Sequence, residues 1–369
     1  MTQNAIESDI HLSRLQNVRE NFGEWGVNAI LIESPANRFW LSGFSGSAGW
    51  LLVNNEKAIL GTDSRYWVQV ISQSPNFKLM RFQGDPEAYM AEFLAEAGDG
   101  AIGIESQHLT LKQLKQLEKS AGFEWIQLDG AVESLRKTKS EDEIKIIERA
   151  AAITDKAMAM VSDLARPGMT ERELAWKLER IMRESGASGI SFPVIVASGP
   201  NAARPHHNPG DRQLTIGDSI IIDMGAKVDR YCSDLTRTFY LGESLSDRFS
   251  EVYNTVLDAQ ENALKNMKSG MNGAEIDLLA RQTIDAAGYG EEFGHALGHG
   301  VGIEIHESPN LSSRASEEGL PAGSVVTVEP GIYIENWGGV RIEDLVLLKD
   351  DGNQVLSQCP KSPTIPVRY

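Results

Sequence analysis

Apolar residues recur along this chain at two spacings, and the spacing changes where the elements change. Between residues 9 and 25, Ile10, Leu15, Val18, Phe22 and Trp25 fall roughly on one side of a helix. Val27–Ile32 is a short apolar run that reads as a buried strand. The segment Arg38-Phe39-Trp40-Leu41-Ser42-Gly43-Phe44 leads into a Gly/Ser turn, after which Trp50–Val53 and Lys57–Leu60 read as further strands. Strands and helices keep alternating through Leu128, which predicts a mixed α/β layer. The aromatic residues Phe39, Trp40, Phe44 and Trp50 belong to that core in this reading, not to a site.

The pattern breaks between residues 130 and 140 at the basic run Arg136-Lys137-Thr138-Lys139. Ser140 and Glu143 then form a capping-box signature, in which the serine accepts a free amide of the first turn and the glutamate reaches back. A helix is expected from there to about Leu164, with Ile144, Ile147, Ala151, Met158 and Val161 at helical spacing. The expected domains are therefore residues 1–132 and 139–369.

The second part carries a weak internal repeat. Gly168-Met169-Thr170-x-x-Glu173-Leu174 resembles Gly270-Met271-Asn272-x-x-Glu275-Ile276, each after a long helix and each with its own capping box. Each is followed by a turn with glycines, Gly186-Ala187-Ser188-Gly189 and Gly288-Tyr289-Gly290. Two copies of helix, cap, helix and strands predict a duplicated αβ domain.

The 369 residues carry a formal net charge of -17. That balance disfavours nucleic acid and anionic membranes, both of which attract basic faces. No apolar run is long enough to span a bilayer. Met1–Leu12 is polar, with Glu7 and Asp9, and does not read as a signal peptide. Two cysteines, Cys232 and Cys359, make no disulfide framework. A cytoplasmic protein is expected.

Of seven histidines, His295, His299 and His306 lie within one stretch, interleaved with Gly294, Gly298, Gly300 and Gly302. Histidine is the commonest metal ligand and works as acid or base near neutral pH, and glycine lets backbone approach a ligand closely. His295 and His299 are also spaced for one helix face, but the helical zinc motif needs a glutamate where Ala296 stands, and the glycines oppose a helix. Arg204-Pro205-His206-His207-Asn208-Pro209 is a second histidine segment, stiffened by its prolines, and reads either as part of a site or as a surface loop.

Carboxylates complete the picture. Ile220-Ile221-Ile222 ends on Asp223, and Cys232–Phe239, which carries Asp234, reads as the strand returning from a hairpin. Val325-Val326-Thr327-Val328 ends on Glu329, with Pro330-Gly331 stopping the strand, and Val340–Asp344 follows the Gly338-Gly339 turn with Glu343. A carboxylate within an apolar strand is costly to bury unpaired. Salt bridges to Arg237 and Arg341 are one answer. Divalent metal is the other and fits the whole set better, since carboxylate-rich sites with imidazoles suit Mn, Co, Fe or Zn. Bridging carboxylates can hold two ions about 3.5–4 Å apart.

The motifs Ile-Ile-Asp-Met-Gly, Ser-Asp-Leu-Thr-Arg-Thr, Gly-His-Gly-Val-Gly-Ile-Glu-Ile-His-Glu, Val-Glu-Pro-Gly-Ile-Tyr and Val-Arg-Ile-Glu-Asp, in that order, resemble the pita-bread (M24) metallopeptidases. These comprise methionine aminopeptidase, Xaa-Pro aminopeptidase and Xaa-Pro dipeptidase (prolidase). Asn37–Phe44 and Thr62–Tyr66 are similar to the creatinase/prolidase N-terminal domain, which points to the Xaa-Pro branch. The resemblance implies an α/β protein: a creatinase-like mixed α/β domain, then a duplicated αβ pita-bread catalytic domain. It implies two divalent ions per subunit, manganese first and cobalt or zinc next, held by Asp223, Asp234, His299, Glu329 and Glu343. Asp234 and Glu343 would bridge, Asp223 would complete one shell, and His299 with Glu329 the other. It implies cleavage of the bond before proline by a hydroxide between the ions, Glu329 moving its proton and His306 stabilising the oxyanion. His206 matches the family's proline-flanked histidine, His295 a residue of the proline pocket, and Arg341 a neighbour of the metals that orients substrate. A homodimer acting on proline-containing peptides is implied. The reading is an Xaa-Pro aminopeptidase, with a dipeptide-restricted prolidase as the alternative and a catalytically silent binding protein as a third.

Overall fold

The computed structural model describes residues 3–367, and the side chains of residues 10–367. Met1 and Thr2, and the side chains of Glu7 and Asp9 on which the reading of the N-terminus drew, lie outside them. The chain divides into two compact units, Met1–Leu135 and Arg136–Tyr369. No helix of the described residues is long and apolar enough to cross a membrane.

The first unit is built on a six-stranded sheet. Its order is Lys78–Arg81, Ala58–Thr62, Trp50–Asn54, Ala29–Ile32, Ala101–Glu105, Glu124–Leu128. Ala29–Ile32 runs antiparallel to Trp50–Asn54 and parallel to Ala101–Glu105, so the sheet is mixed. Buried Leu31, Leu52, Ile59, Phe93, Ile102 and Leu117 join in one core. The amphipathic pattern at the N-terminus becomes two helices, Gln3–Glu20 and Phe22–Trp25. Trp40 and Phe44 are buried as expected, while Phe39 and Trp50 are half-buried. The segment around them holds a helix that spacing did not announce, Pro35–Ser42, started by the Ser34 cap and a proline in its first turn.

The second unit contains the duplication. The helices Glu141–Ala159 and Glu171–Glu184 pack together in the first copy, Asp247–Asn266 and Gly273–Ala286 in the second. The capping boxes at Ser140, Thr170 and Asn272 are all formed. The helix expected to reach Leu164 stops at Ala159, and a separate turn, Val161–Leu164, follows Met160.

Each helix pair covers a sheet. The first has the order Thr364–Ile365, Leu235–Leu241, Ser219–Met224, Ile195–Ser198, and the second Glu307–Leu311, Gly298–Gly300, Val325–Val328, Asp344–Lys349, Gly352–Val355. Alternation sorts the faces. Ile220, Ile222, Met224, Leu235 and Phe239 pack in the first helix-side core, and Val326, Val328, Val346 and Leu348 in the second. The intervening residues, Asp223, Thr236, Thr327 and their neighbours, point to the opposite face.

Candidate metal centre

The carboxylates stand where strands end or break. Asp223 lies opposite Thr236 in the antiparallel pair of Ser219–Met224 with Leu235–Leu241. The connection is not the single hairpin expected. An inner ladder, Ala226–Val228 with Tyr231–Cys232, turns through Asp229 and Arg230 at positive φ. The return strand resumes only at Leu235, so Asp234 sits in the break. In the second copy Val325–Val328 pairs with Asp344–Lys349, while Gly338–Arg341 pairs with Gly331–Ile334. Glu343 thus also occupies a break.

Adjacent Glu343 and Asp344 point opposite ways. On the helix side Asp344 meets Arg237 at 2.7 Å, Lys361 at 2.8 Å and Gln260 at 2.8 Å, a salt bridge of structural type. On the other side Glu343 Oε2 accepts Thr236 Oγ1 at 2.7 Å, and the Glu343 amide donates to Thr236 O at 3.1 Å. These bonds join the two copies at the site.

His299 is carried on Gly298–Gly300, a strand and not a helix. Both flanking glycines are required by space: a Cβ on Gly298 would lie 2.0 Å from Thr327 O, and one on Gly300 2.4 Å from Ser308 O. The His299 Nδ1 hydrogen donates to Gly300 O at 3.1 Å. Burial holds this imidazole below its usual pKa and hence neutral. Its Nε2 lone pair therefore faces Glu329 Oε1 at 3.4 Å and Asp234 Oδ2 at 3.7 Å. A lone pair facing two carboxylates is repulsive unless a proton or a metal cation lies between.

Other features fit a cation. Ligand atoms of Asp234, His299 and Glu343 lie within 4.8 Å of one another. Asp223 Oδ1 and Asp234 Oδ1 are buried without any hydrogen-bond partner. Burial, then the carboxylates of Glu343, Asp223 and Glu329, raise Asp234 well above its ordinary pKa. Burial, then Glu329 and Asp223, do the same to Glu343. Glu329 is raised by burial, against the opposing pull of His295 and Arg341, and its Oε1 accepts Thr327 Oγ1 at 3.1 Å. Arg341 donates to Asp223 Oδ2 at 2.7 Å. Four carboxylates thus gather around this one guanidinium. Carboxylate and neutral imidazole are the donor set for such ions.

Arg341 is 3% exposed, and each of its nitrogens is engaged. Besides Asp223 it binds Thr236 Oγ1 at 3.2 Å, Tyr333 OH at 2.9 Å and Pro205 O at 3.4 Å. Tyr333 OH also meets His295 Nε2 at 3.0 Å, while His295 Nδ1 donates to Ala296 O at 2.7 Å. Burial lowers the His295 pKa and raises that of Tyr333 to about 12, so both stay neutral. His306 is exposed, its ring 4.1 Å from that of His299. Partial burial of its ring, then the neighbouring His299 and His206, lower its pKa. The loop it ends is tied down by Glu307, which binds Arg136 and, at 2.7 Å, Lys139.

The two adjacent histidines part company. His207 Nε2 meets buried Glu171 Oε2 at 2.8 Å, whereas His206 is exposed and lies near His295 and His306. All nine residues singled out from the sequence thus belong to one neighbourhood. Sequence reasoning missed Thr236, Thr327 and Tyr333, which orient the others. For Thr236 and Thr327 the one signal was alternation, which sets them on the same face as the carboxylates.

Residues 145–350 match metallopeptidase family M24, and residues 14–138 match the creatinase/prolidase N-terminal domain. An Xaa-Pro dipeptidase of Pyrococcus horikoshii is 38% identical over 352 residues, covering 95% of this chain and 98% of that one. The solved structure of an Xaa-Pro dipeptidase from Bacillus anthracis has a TM-score of 0.93 at 38% identity, covering 97% of this chain and 100% of that one. That of an X-Pro aminopeptidase from Thermotoga maritima has a TM-score of 0.87 at 38% identity, covering 96% and 100%.

Proposed function

The chain belongs to metallopeptidase family M24, with a creatinase/prolidase N-terminal domain, and from that premise we propose that it is an Xaa-Pro aminopeptidase using two divalent ions. The observation that carries the metal is the neutral His299 lone pair set against Asp234 and Glu329 beside the orphaned oxygens of Asp223 and Asp234. Asp223, Asp234, His299, Glu329 and Glu343 would hold the ions. When bound, the ions supply Lewis acidity and a nucleophile from water at neutral pH.

The chain's own residues do the rest. Glu329, with Oε1 held by Thr327, accepts the proton of the attacking water at its other oxygen and delivers it to the proline nitrogen. His306, exposed beside His299, donates to the carbonyl oxygen as negative charge develops there. His295, T-shaped against Phe293 at 5.1 Å, offers an apolar ring to proline, and His206 meets the substrate from the opposite loop. The bond before proline is a tertiary amide lacking an N–H, which a groove built for extended strands binds poorly. We further propose manganese before cobalt or zinc, a homodimer, and a cytoplasmic location.

The preference for longer peptides rests on Arg341 and His295. A dipeptidase needs a cation or donor for the free carboxylate that follows proline. The one N–H of neutral His295 goes to Ala296, and four of the five N–H groups of Arg341 go to Thr236, Pro205, Tyr333 and Asp223, which leaves no cation free to clamp a carboxylate with two bonds. Prolidase remains the second reading, favoured by the relatives named dipeptidase. Chelator-stripped protein restored with Mn and given Ala-Pro beside Ala-Pro-Ala decides between them. Free alanine from the tripeptide establishes the aminopeptidase; alanine from the dipeptide alone establishes prolidase.

A further inference from the structure

Glu171 is the first residue of the helix Glu171–Glu184 and has no exposed surface. Its Oε1 accepts from Ser198 N at 2.9 Å, Ser198 Oγ at 2.7 Å and Asn201 Nδ2 at 3.0 Å. Its Oε2 accepts from His207 Nε2 at 2.8 Å and Gly210 N at 3.2 Å. One carboxylate therefore ties both ends of the loop 198–210, with His206 between them. From the other side Arg341 Nη1 reaches Pro205 O at 3.4 Å.

The helix end does not need Glu171 as a cap. Thr170 and Glu173 already form the reciprocal capping box, with bonds of 2.8 and 3.2 Å. The second copy of the duplication uses the same device with different residues. The position that matches Glu171 is Gly273, where a Cβ would lie 2.0 Å from Asn310 O, so no side chain fits. The anchor stands one turn later. Asp277, 1% exposed, accepts the Leu297 amide at 3.0 Å and pairs with Arg281 at 2.7 Å. Arg281 in turn donates to Phe293 O at 3.0 Å and His295 O at 2.8 Å. Each copy thus lends the start of its second helix to the loop that carries a histidine of the site.

We propose that Glu171 is a positioning residue that fixes the loop 198–210 so that His206 faces the substrate, as Asp277 and Arg281 fix the loop of His295. This rests on the role proposed above for His206.

The test is a double-mutant cycle on Mn-loaded full-length protein, reading kcat/KM for Ala-Pro-Ala in wild type, Glu171→Gln, His206→Ala and the double variant. Glutamine keeps one acceptor oxygen but meets His207 and the Gly210 amide with a donor. The expected loss for Glu171→Gln is ~10- to 100-fold, the scale of a misplaced group near the chemistry. In the His206→Ala background the same change should cost nothing further. Losses that multiply would overturn the proposal, because independent sites add in free energy. A second readout needs no activity: in metal-free protein, amide hydrogen exchange at Ser198 and Gly210 should be faster in Glu171→Gln, and unchanged rates would overturn it. Should Glu171→Gln fail to fold, His207→Phe cuts one bond on the loop side and enters the same cycle with the same two outcomes. A wild type that cleaves neither peptide would refute the proposed function, while hydrogen exchange would still decide whether Glu171 holds the loop.

Discussion

His299 is held neutral, with its Nδ1 hydrogen spent on a carbonyl and its lone pair aimed at acids. That arrangement makes sense for a ligand, and it fixes how the neighbouring carboxylates should respond to substitution. In metal-free protein Asp234 is buried among Glu343, Asp223 and Glu329 with one oxygen unpartnered. Asp234→Asn should therefore raise the melting temperature of the stripped protein, by about 2–4 °C for each kcal/mol of relieved repulsion. The same variant should lose the further rise that Mn gives wild type through binding to the folded state. Differential scanning calorimetry with and without Mn reads both. Thr236, fully buried, donates to Glu343 and accepts from Arg341. Thr236→Val keeps the shape and removes both bonds. It should cost ~1–3 kcal/mol of stability in urea unfolding and weaken Mn affinity ~10- to 100-fold in calorimetric titration. The carboxylates were legible in sequence because an acid at the end of an apolar strand is anomalous. Thr236 and Thr327 were not, because a β-branched residue in a strand is ordinary. Tyr333 was quoted within a motif, but nothing in one sequence says that its hydroxyl bridges His295 and Arg341.

At the scale of elements, strand alternation divides Glu343 from Asp344, so two adjacent acids have unrelated tasks. Sequence raised both salt bridges and metal as answers for the buried acids, and the structure contains the bridges on both arginines: Arg237 with Asp344, Arg341 with Asp223. Asp344→Ala strands a buried guanidinium. It should destabilise the protein by ~3–5 kcal/mol, the usual cost of breaking a buried pair, measured by chemical denaturation. The capping boxes were readable because their chemistry is local to four residues. The interruptions at Asp234 and Glu343 were not, because a strand breaks there to satisfy partners on distant segments. The helix break at Met160 had no punctuating glycine or proline to announce it.

At the scale of the whole molecule, the duplication brings the two sheets together on their faces opposite the helices, so that each copy supplies two of the four acids and Thr236 joins them to Arg341 and Glu343. The repeat was faint in sequence because only its turns and caps are shared. Its helix-side cores are filled with different residues in the two copies. The N-terminal unit was visible as alternating strands and helices, but its strand order, mixed parallel and antiparallel, follows from crossovers that spacing does not encode. We propose that the buried acids and His299 form a two-ion peptidase centre. The direct measurement is a titration of Mn into chelator-stripped protein, following alanine release from Ala-Pro-Ala at each addition. Activity should be absent at the start, rise with added Mn and level off at two equivalents per chain. Folded protein that takes up no ion, or that releases alanine equally well without one, would contradict it.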